Sequence, residues 1–385
     1  MRSDSEIQRR ETIAKSAMTA VFCAFLIYLH YLNSLKTGKV VDFTAFYTAA
    51  QMLRHGAAHQ LFDFNLQRQF QEYYLQSSTL VFYNPPPAAL LYLPVSFFKY
   101  TGGYLLWATF TVAMLVWSAV LLHRVVGVGK DPFQVMIGIF AYMPLHFHMI
   151  QGQLDVVLLP IYLLTLKALK EDRAWQAGMI LAVGLLKFQF VLPLALILAI
   201  RFTWKFLSGF ALGSAVFAAL CVAISGFNET FHYVKLLTQI GSIPHIGVYP
   251  PMMANIRGLF YLIFGHNVPL LTLAVSAALI AWAIYAWRSL ETGFALGVTV
   301  TLLVSYHLNP HSLTLLILPL AIAVKNIKWL SAAGVTWLLL ATPVLLLIVT
   351  WRKEIAWMAL PIAAFAFFAF PPVTTVRIEE SASSI

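Results

Sequence analysis

The chain has 385 residues, of which 60% are hydrophobic and only 10% charged, against about 25% charged in an ordinary soluble domain. That composition excludes a soluble fold: apolar runs of about 20 residues recur along the chain, so the unit of organisation is the membrane span. The excess of 25 Lys and Arg over 15 Asp and Glu would suggest nucleic acid in a soluble chain. Here it marks basic cytoplasmic loops, and no nucleic-acid role follows.

Residues 1–15 read as a cytoplasmic tail. The apolar run from Ser16 to Leu35 is too long for the core of a signal peptide and has no small-residue cleavage site, so it reads as a retained first helix. A long external loop over 36–80 follows. Further helices are expected near 104–123, 132–148, 154–170, 206–225, 268–288, 293–306, 312–325, 329–350 and 355–371, with a second long external loop over about 226–267 and a cytoplasmic tail over 372–385. This order rests on the basic residues, which form one consistent cytoplasmic set: the N-terminal tail, Arg124 to Lys130, Lys167 to Arg173, Arg201 to Lys205, Arg288, Lys325 to Lys328, and Arg377. Two stretches break the alternation. Residues 85–98 and 174–200, the latter interrupted at Lys187, Phe188 and Gln189, read as short or re-entrant pairs, because non-helical backbone at membrane depth survives only inside protein or along a cavity. The fold class is all-α and polytopic, with 16–371 as a single transmembrane domain of about 10 to 13 transmembrane or re-entrant helices. Cys23 and Cys221 lie in apolar runs without CxxC or metal-ligand spacing, which implies neither a disulfide nor a metal site.

The external face is where the unusual residues gather: Asp42, Asp63, Glu72, Asp155, Glu229 and nearly all of the 11 histidines. Long polar and aromatic loops are where membrane enzymes place chemistry. Asp42 precedes an amphipathic pattern carried by Phe43, Phe46, Tyr47, Ala50 and Leu53. Taken alone, it is either a helix N-cap worth about 1 kcal/mol or a carboxylate held at the membrane surface as a general base. Asp63 reads as the cap of a helix beginning near Leu66. Gln153 and Asp155, in GQLD, stand where a helix begins and read as cap and interhelical contact. Lys187 is expensive inside an apolar run unless it has a partner or snorkels to an interface. His307 and His311 flank Pro310 at a helix junction; their spacing lacks an acidic neighbour, which argues against zinc. Arg54, Arg68 and Arg257 are weaker cationic candidates at loop positions. Asn228, Glu229 and Thr230 form a glycosylation sequon, meaningful only in a eukaryotic chain.

Four segments taken in order, DFTAFYTAAQMLRHGAAHQLFDFNLQRQFQE, VFYNPPPAALLYLPVSFF, GQLDVVLLPIYLL and AGMILAVGLLKFQFVLPLALIL, resemble glycosyltransferase family 87. These are bacterial mannosyltransferases of the GT-C membrane fold that depend on polyprenyl-phosphate-mannose. The resemblance runs over about residues 40–320 and is most specific across 42–86. Two departures stand out: the family's aromatic-Pro-Pro appears as Tyr83, Asn84, Pro85 and Pro86, and its Lys-Pro as Lys187 followed by Phe188. The resemblance implies a GT-C fold with amphipathic helices in the first external loop. It also implies that Asp42 is the acidic residue serving as general base for an inverting transfer of a sugar, mannose above all, from a polyprenyl phosphate to an extracytoplasmic lipid or glycan. Around it, Lys187, His311, His307, Gln153, Asp155, Arg257, Tyr83 and Asn84 would bind the donor phosphate or the sugar hydroxyls. No metal or other cofactor is expected. The partners would be membrane lipids, the polyprenyl-phosphate-linked donor and a glycolipid or glycan acceptor. The protein would sit in the cell inner (plasma) membrane with its active site on the periplasmic or extracellular face. The alternative is a non-enzymatic transporter or lipid-linked sugar flippase, which would carry internal repeats and midplane charges; no repeat is visible, and Lys187 is the one charge well inside an apolar run.

Overall fold

The structure, a computed structural model, describes residues 11–25, 28, 41–75, 80–239, 249–326 and 354–370. The expected helix over 329–350, the C-terminal tail and most of the N-terminal tail lie outside the described residues. Among the described residues the secondary structure is helical, without strands.

The first described helix, α1 (11–25), lays Phe22 edge-on against Phe140, with ring centroids 5.4 Å apart. The first external loop contains two amphipathic helices, α2 (Phe43–Arg54) and α3 (Phe64–Leu75). Together with residues 82–95 and 100–108 it builds an aromatic core distinct from the main core of the spans: Phe46 stacks on Tyr92 at 4.4 Å, and Tyr92 on Trp107 at 3.7 Å. Residues 85–98 form the short α4 (Pro86–Leu91) and a 3-10 turn over Leu93–Phe97. This stretch is clamped onto α2: the Tyr47 hydroxyl donates to the Phe98 carbonyl at 2.8 Å, while Gln51 and Arg54 donate to the Ser96 carbonyl at 2.9 and 2.5 Å. It therefore stays on the face of the molecule that carries the loop.

The chain then turns into α5 (Tyr100–Leu121), which continues through Val126 as a 27-residue segment long and apolar enough to cross a membrane. The helix expected over 132–148 is in fact two, α6 (Pro132–Phe140) and α7 (Met143–Gln151), bent by 74°. The physical reason is Pro144, which has no N–H for a continuing helix but suits the first turn of a new one. Then follow α8 (Leu158–Lys170), preceded by a 3-10 turn at Asp155–Val157, and α9 (Ala174–Val183), which ends in a 3-10 turn over Gly184–Lys187. The next helix, α10 (Phe188–Ser225), is broken at Thr203, whose φ is 56°.

The direction of these pieces follows from three glycines. A side chain at Gly178 would run into the Phe206 carbonyl, one at Gly209 into the Trp175 carbonyl, and one at Gly213 would lie 2.6 Å from the Ala182 side chain. Numbers rise together along both helices, so α9 and the part of α10 beyond Thr203 run parallel at close backbone distance. The part of α10 before Thr203 must therefore return, and α9 with that returning leg is a short hairpin with Lys187 at its apex, as the interruption at 187–189 suggests. The ten residues of α9 rise about 15 Å, and the 3-10 turn adds about 8 Å.

Beyond α10 come α11 (Phe227–Gln239), α12 (Ile256–Phe264), α13 (Pro269–Tyr285) and α14 (Leu290–Val304). The helix expected over 312–325 opens instead as a 3-10 segment, Pro310–Leu316, before α15 (Ile317–Asn326). The last described helix is α16 (Ala359–Ala369). The basic helix ends meet at one pole. Lys170 reaches Glu291 and the Val125 carbonyl, Lys325 lies 3.1 Å from Glu291, and Lys15 lies 2.7 Å from Asp131. At the other ends of these helices lie Asp42, Gln153, Lys187 and His311.

Candidate functional site

Asp42 occupies the N-cap position of α2, but its carboxylate makes no capping bond. Its backbone N–H donates to the Gln151 side chain at 3.0 Å, and its Oδ2 accepts from Gln153 Nε2 at 2.6 Å. Asp63 behaves in the opposite way: its Oδ1 accepts from the backbone N–H of Asn65 and Leu66 at 2.9 and 3.1 Å, so it is the helix cap its sequence suggests.

Gly152 makes the approach of Gln153 to Asp42 possible. It ends α7 at a φ of +63°, and a Cβ there would lie 2.7 Å from the Cβ of Phe43, the residue next to Asp42. Only glycine accepts both conditions. The turn is fixed from above by aromatic hydroxyls: Tyr92 donates to the Gly152 carbonyl at 2.7 Å and Tyr104 to the Met149 carbonyl at 2.8 Å.

The Gln153 amide bridges two charges. Its Oε1 accepts from Lys187 Nζ at 3.1 Å while its Nε2 serves Asp42, so the two partners together fix which end of the amide points which way. Lys187 is buried at the hairpin apex, with Nζ 3.5 Å from Asp155 Oδ1 and 6.0 Å from the centre of the Phe46 ring. Lys187 is thus held inside the cluster, far from the snorkelling arrangement. Asp155 is fully buried, and Ser312 donates to its Oδ2 at 2.6 Å. His311 stands between the two carboxylates, Nδ1 3.9 Å from Asp42 and Nε2 3.6 Å from Asp155, contacts that are electrostatic and too long for hydrogen bonds.

Accessibility separates the two acids. The Asp42 side chain is 31% exposed and Asp155 0%, so Asp42 alone of the pair can touch a ligand. Its carboxyl is raised above the ordinary value by burial first; the Gln153 hydrogen bond and the Lys187 charge pull it down, and the Asp155 charge adds to the rise. A carboxylate made more basic while remaining accessible is suited to accept a proton. Tyr83 borders it: its phenol is raised by burial and then by the Asp42 charge. Asn84 is half-buried beside it, at the turn into α4.

Two candidates stand apart. Arg257 packs its guanidinium over the Tyr306 ring at 4.1 Å and donates to the Tyr306 carbonyl and Asn267, so it is engaged outside the Asp42 cluster. His307 is half-buried between the two groups, within electrostatic reach of Lys187, Arg257 and Asp155. Arg54 is committed to Ser96 and the Phe97 ring, and Arg68 is exposed on α3. Three members of the cluster are absent from the sequence-based set. Gln151 and Ser312 are each adjacent in pattern to a chosen residue, in QGQ and HS. His148 is completely buried and within electrostatic reach of Asp155, Lys187 and His311; its position one turn before Gly152 was the available signal.

Buried charge thus gathers around one accessible carboxylate at the end of a helical bundle. The model of glycosyltransferase family 87 matches residues 82–305, more than half of the chain. The chain belongs to glycosyltransferase family 87. It is thus a glycosyltransferase of membrane character, and this places Gln153, Asp155, Lys187 and Arg257 inside the matched segment, with Asp42 before it and His307 and His311 just after. No curated protein and no solved structure matches the chain.

Proposed function

We propose that this family 87 protein, with a GT-C fold, transfers a mannosyl unit from a polyprenyl phosphate to a lipid or glycan acceptor on the periplasmic or extracellular face of the inner (plasma) membrane, with inversion and without a metal. The observation that carries the reading is the Gln153 bridge, which couples an accessible carboxylate to a buried lysine. In this mechanism the acceptor hydroxyl attacks the anomeric carbon as Asp42 takes its proton. The bond from that carbon to the phosphate oxygen breaks, and the electron pair leaves with the polyprenyl phosphate. Lys187 meets the charge growing on the leaving phosphate in a medium where a cation acts far more strongly than in water, and His311 offers a neutral ring N–H beside it. Gln153 and Tyr83 border the place where sugar hydroxyls would lie. Asp155 and Ser312 hold Lys187 and His311 in position from behind.

Purified protein in lipid, given polyprenyl-phosphate-mannose and candidate acceptors, is expected to release polyprenyl phosphate. Asp42→Asn should abolish that release and leave the melting profile in place. Wild-type turnover in Asp42→Asn would remove Asp42 from the base role; release from another lipid-linked sugar but not from the mannosyl donor would correct the substrate.

A further inference from the structure

The second external loop begins with α11, a helix with three different faces. Glu229, Tyr233 and Leu236 recur at helical spacing and are buried. The same spacing two residues earlier gives Phe227, Phe231 and Val234, on the opposite side of the helix. These are 72%, 64% and 55% exposed. Between the stripes, on one flank, lie exposed Asn228, His232, Lys235 and Gln239.

The outward stripe is not isolated. It follows, along the chain, a segment of α10 on which Leu212, Val216 and Leu220 are also exposed, a face that in a membrane is turned to lipid. Between them the chain turns a corner at Gly226, with φ 81° and ψ 163°, a backbone conformation reserved for glycine. A helix that leaves a lipid-facing segment through a sharp corner, keeps an apolar stripe outward and carries a cation on one flank has the pattern of a helix lying in the bilayer interface. We infer that α11 lies in the headgroup layer of the membrane, with Phe227, Phe231 and Val234 in the acyl boundary and Lys235 at the level of the lipid phosphates.

The inner stripe gives this a role. Glu229 Oε1 accepts the backbone N–H of Phe62 at 2.6 Å, and Tyr233 stacks on the Phe62 ring at 4.8 Å. Phe62 belongs to the loop whose α2 begins at Asp42. The helix thereby ties the loop bearing the candidate base to the lipid surface, the level at which a lipid-linked phosphate presents itself.

The test needs no activity and is independent of the proposed reaction. Nitroxide labels are placed at Phe231→Cys and Lys235→Cys, in a background of Cys23→Ser and Cys221→Ala, and the protein is set in nanodiscs of phosphatidylcholine and phosphatidylglycerol. Collisions with oxygen should exceed those with a water-soluble nickel chelate at 231, and the order should reverse at 235. In the otherwise native chain, a benzophenone amino acid at 231 should crosslink to lipid. Equal nickel access at both sites would put the helix in water; shielding from both reagents, or a crosslink to peptide, would put a second copy or another protein on this face. Either result overturns the inference.

Discussion

Replacing Gly152 by alanine tests whether the site depends on one backbone turn. The new Cβ would lie 2.7 Å from the Phe43 Cβ, while carbon atoms pack at about 3.5 to 4.0 Å, so the two segments must part by about 1 Å. The positive φ adds a strain of roughly 1–2 kcal/mol. Phe43 is fully buried among Tyr92, Tyr100 and Tyr104 and has little room to yield, so the displacement falls on the Gln153 side. A hydrogen bond of 2.6 Å lengthened by that amount passes beyond about 3.5 Å and ceases to be one. A misplacement of about 1 Å costs on the order of 100-fold in rate. The assay is release of polyprenyl phosphate by Gly152→Ala, alongside Gly138→Ala, where nothing lies within 4 Å of the added Cβ. Turnover should fall steeply in the first and stay unchanged in the second. Equal turnover in both would show that the Gln153–Asp42 contact is unimportant.

Two further outcomes follow from the cluster and a third from the cap of α3. Removing the cation from a buried pair costs about 3–5 kcal/mol, so Lys187→Met should lower thermal stability strongly, and adding Asp155→Asn should restore part of the loss; a double variant less stable than Lys187→Met would refute the pairing. In the proposed reaction Asp42 acts as the carboxylate, and burial raises its pKa, so turnover should fall as pH drops through a value above the ordinary 3.9. Gln153→Leu removes a hydrogen bond that favours the charged form and should shift this acid limb to higher pH; a limb that stays or moves down contradicts the assignment. Asp63→Ala removes a cap and should lower the melting temperature by the equivalent of about 1 kcal/mol with turnover intact, whereas lost turnover would give Asp63 a place in the site.

Much of the site was legible because membrane interiors make polar residues conspicuous. Asp42, Gln153, Asp155 and Lys187 each stand out against apolar neighbours, and a lysine in an apolar run demands partners that the structure supplies as Gln153 and Asp155. Arg257 misleads because its partners, the Tyr306 ring and the Asn267 amide, satisfy a guanidinium as well as a phosphate would, and ring stacking leaves no trace in residue spacing. His148 is inconspicuous for the opposite reason: nine of the 11 histidines fall on the external side in the expected topology, and nothing in the sequence distinguishes one turned inward from one on the surface. The break between α6 and α7 was marked by Pro144, but a proline also fits a kinked continuous helix, and only packing decides between them. The capping bonds of Asp63 and the freedom of Asp42 from that task depend on where each carboxylate points, which spacing alone does not encode.

The hairpin of α9 and the returning leg has a consequence for the bilayer around it. A leg of about 23 Å falls about 7 Å short of a hydrocarbon layer of about 30 Å. A bilayer accommodates a short wall by thinning beside it, which would bring the headgroup level toward the apex that carries Lys187. In the proposed reaction, a polyprenyl phosphate moving along that wall would approach the lysine with its charge still hydrated, and part of the work of carrying a phosphate into oil would be done in advance by the shape of the membrane.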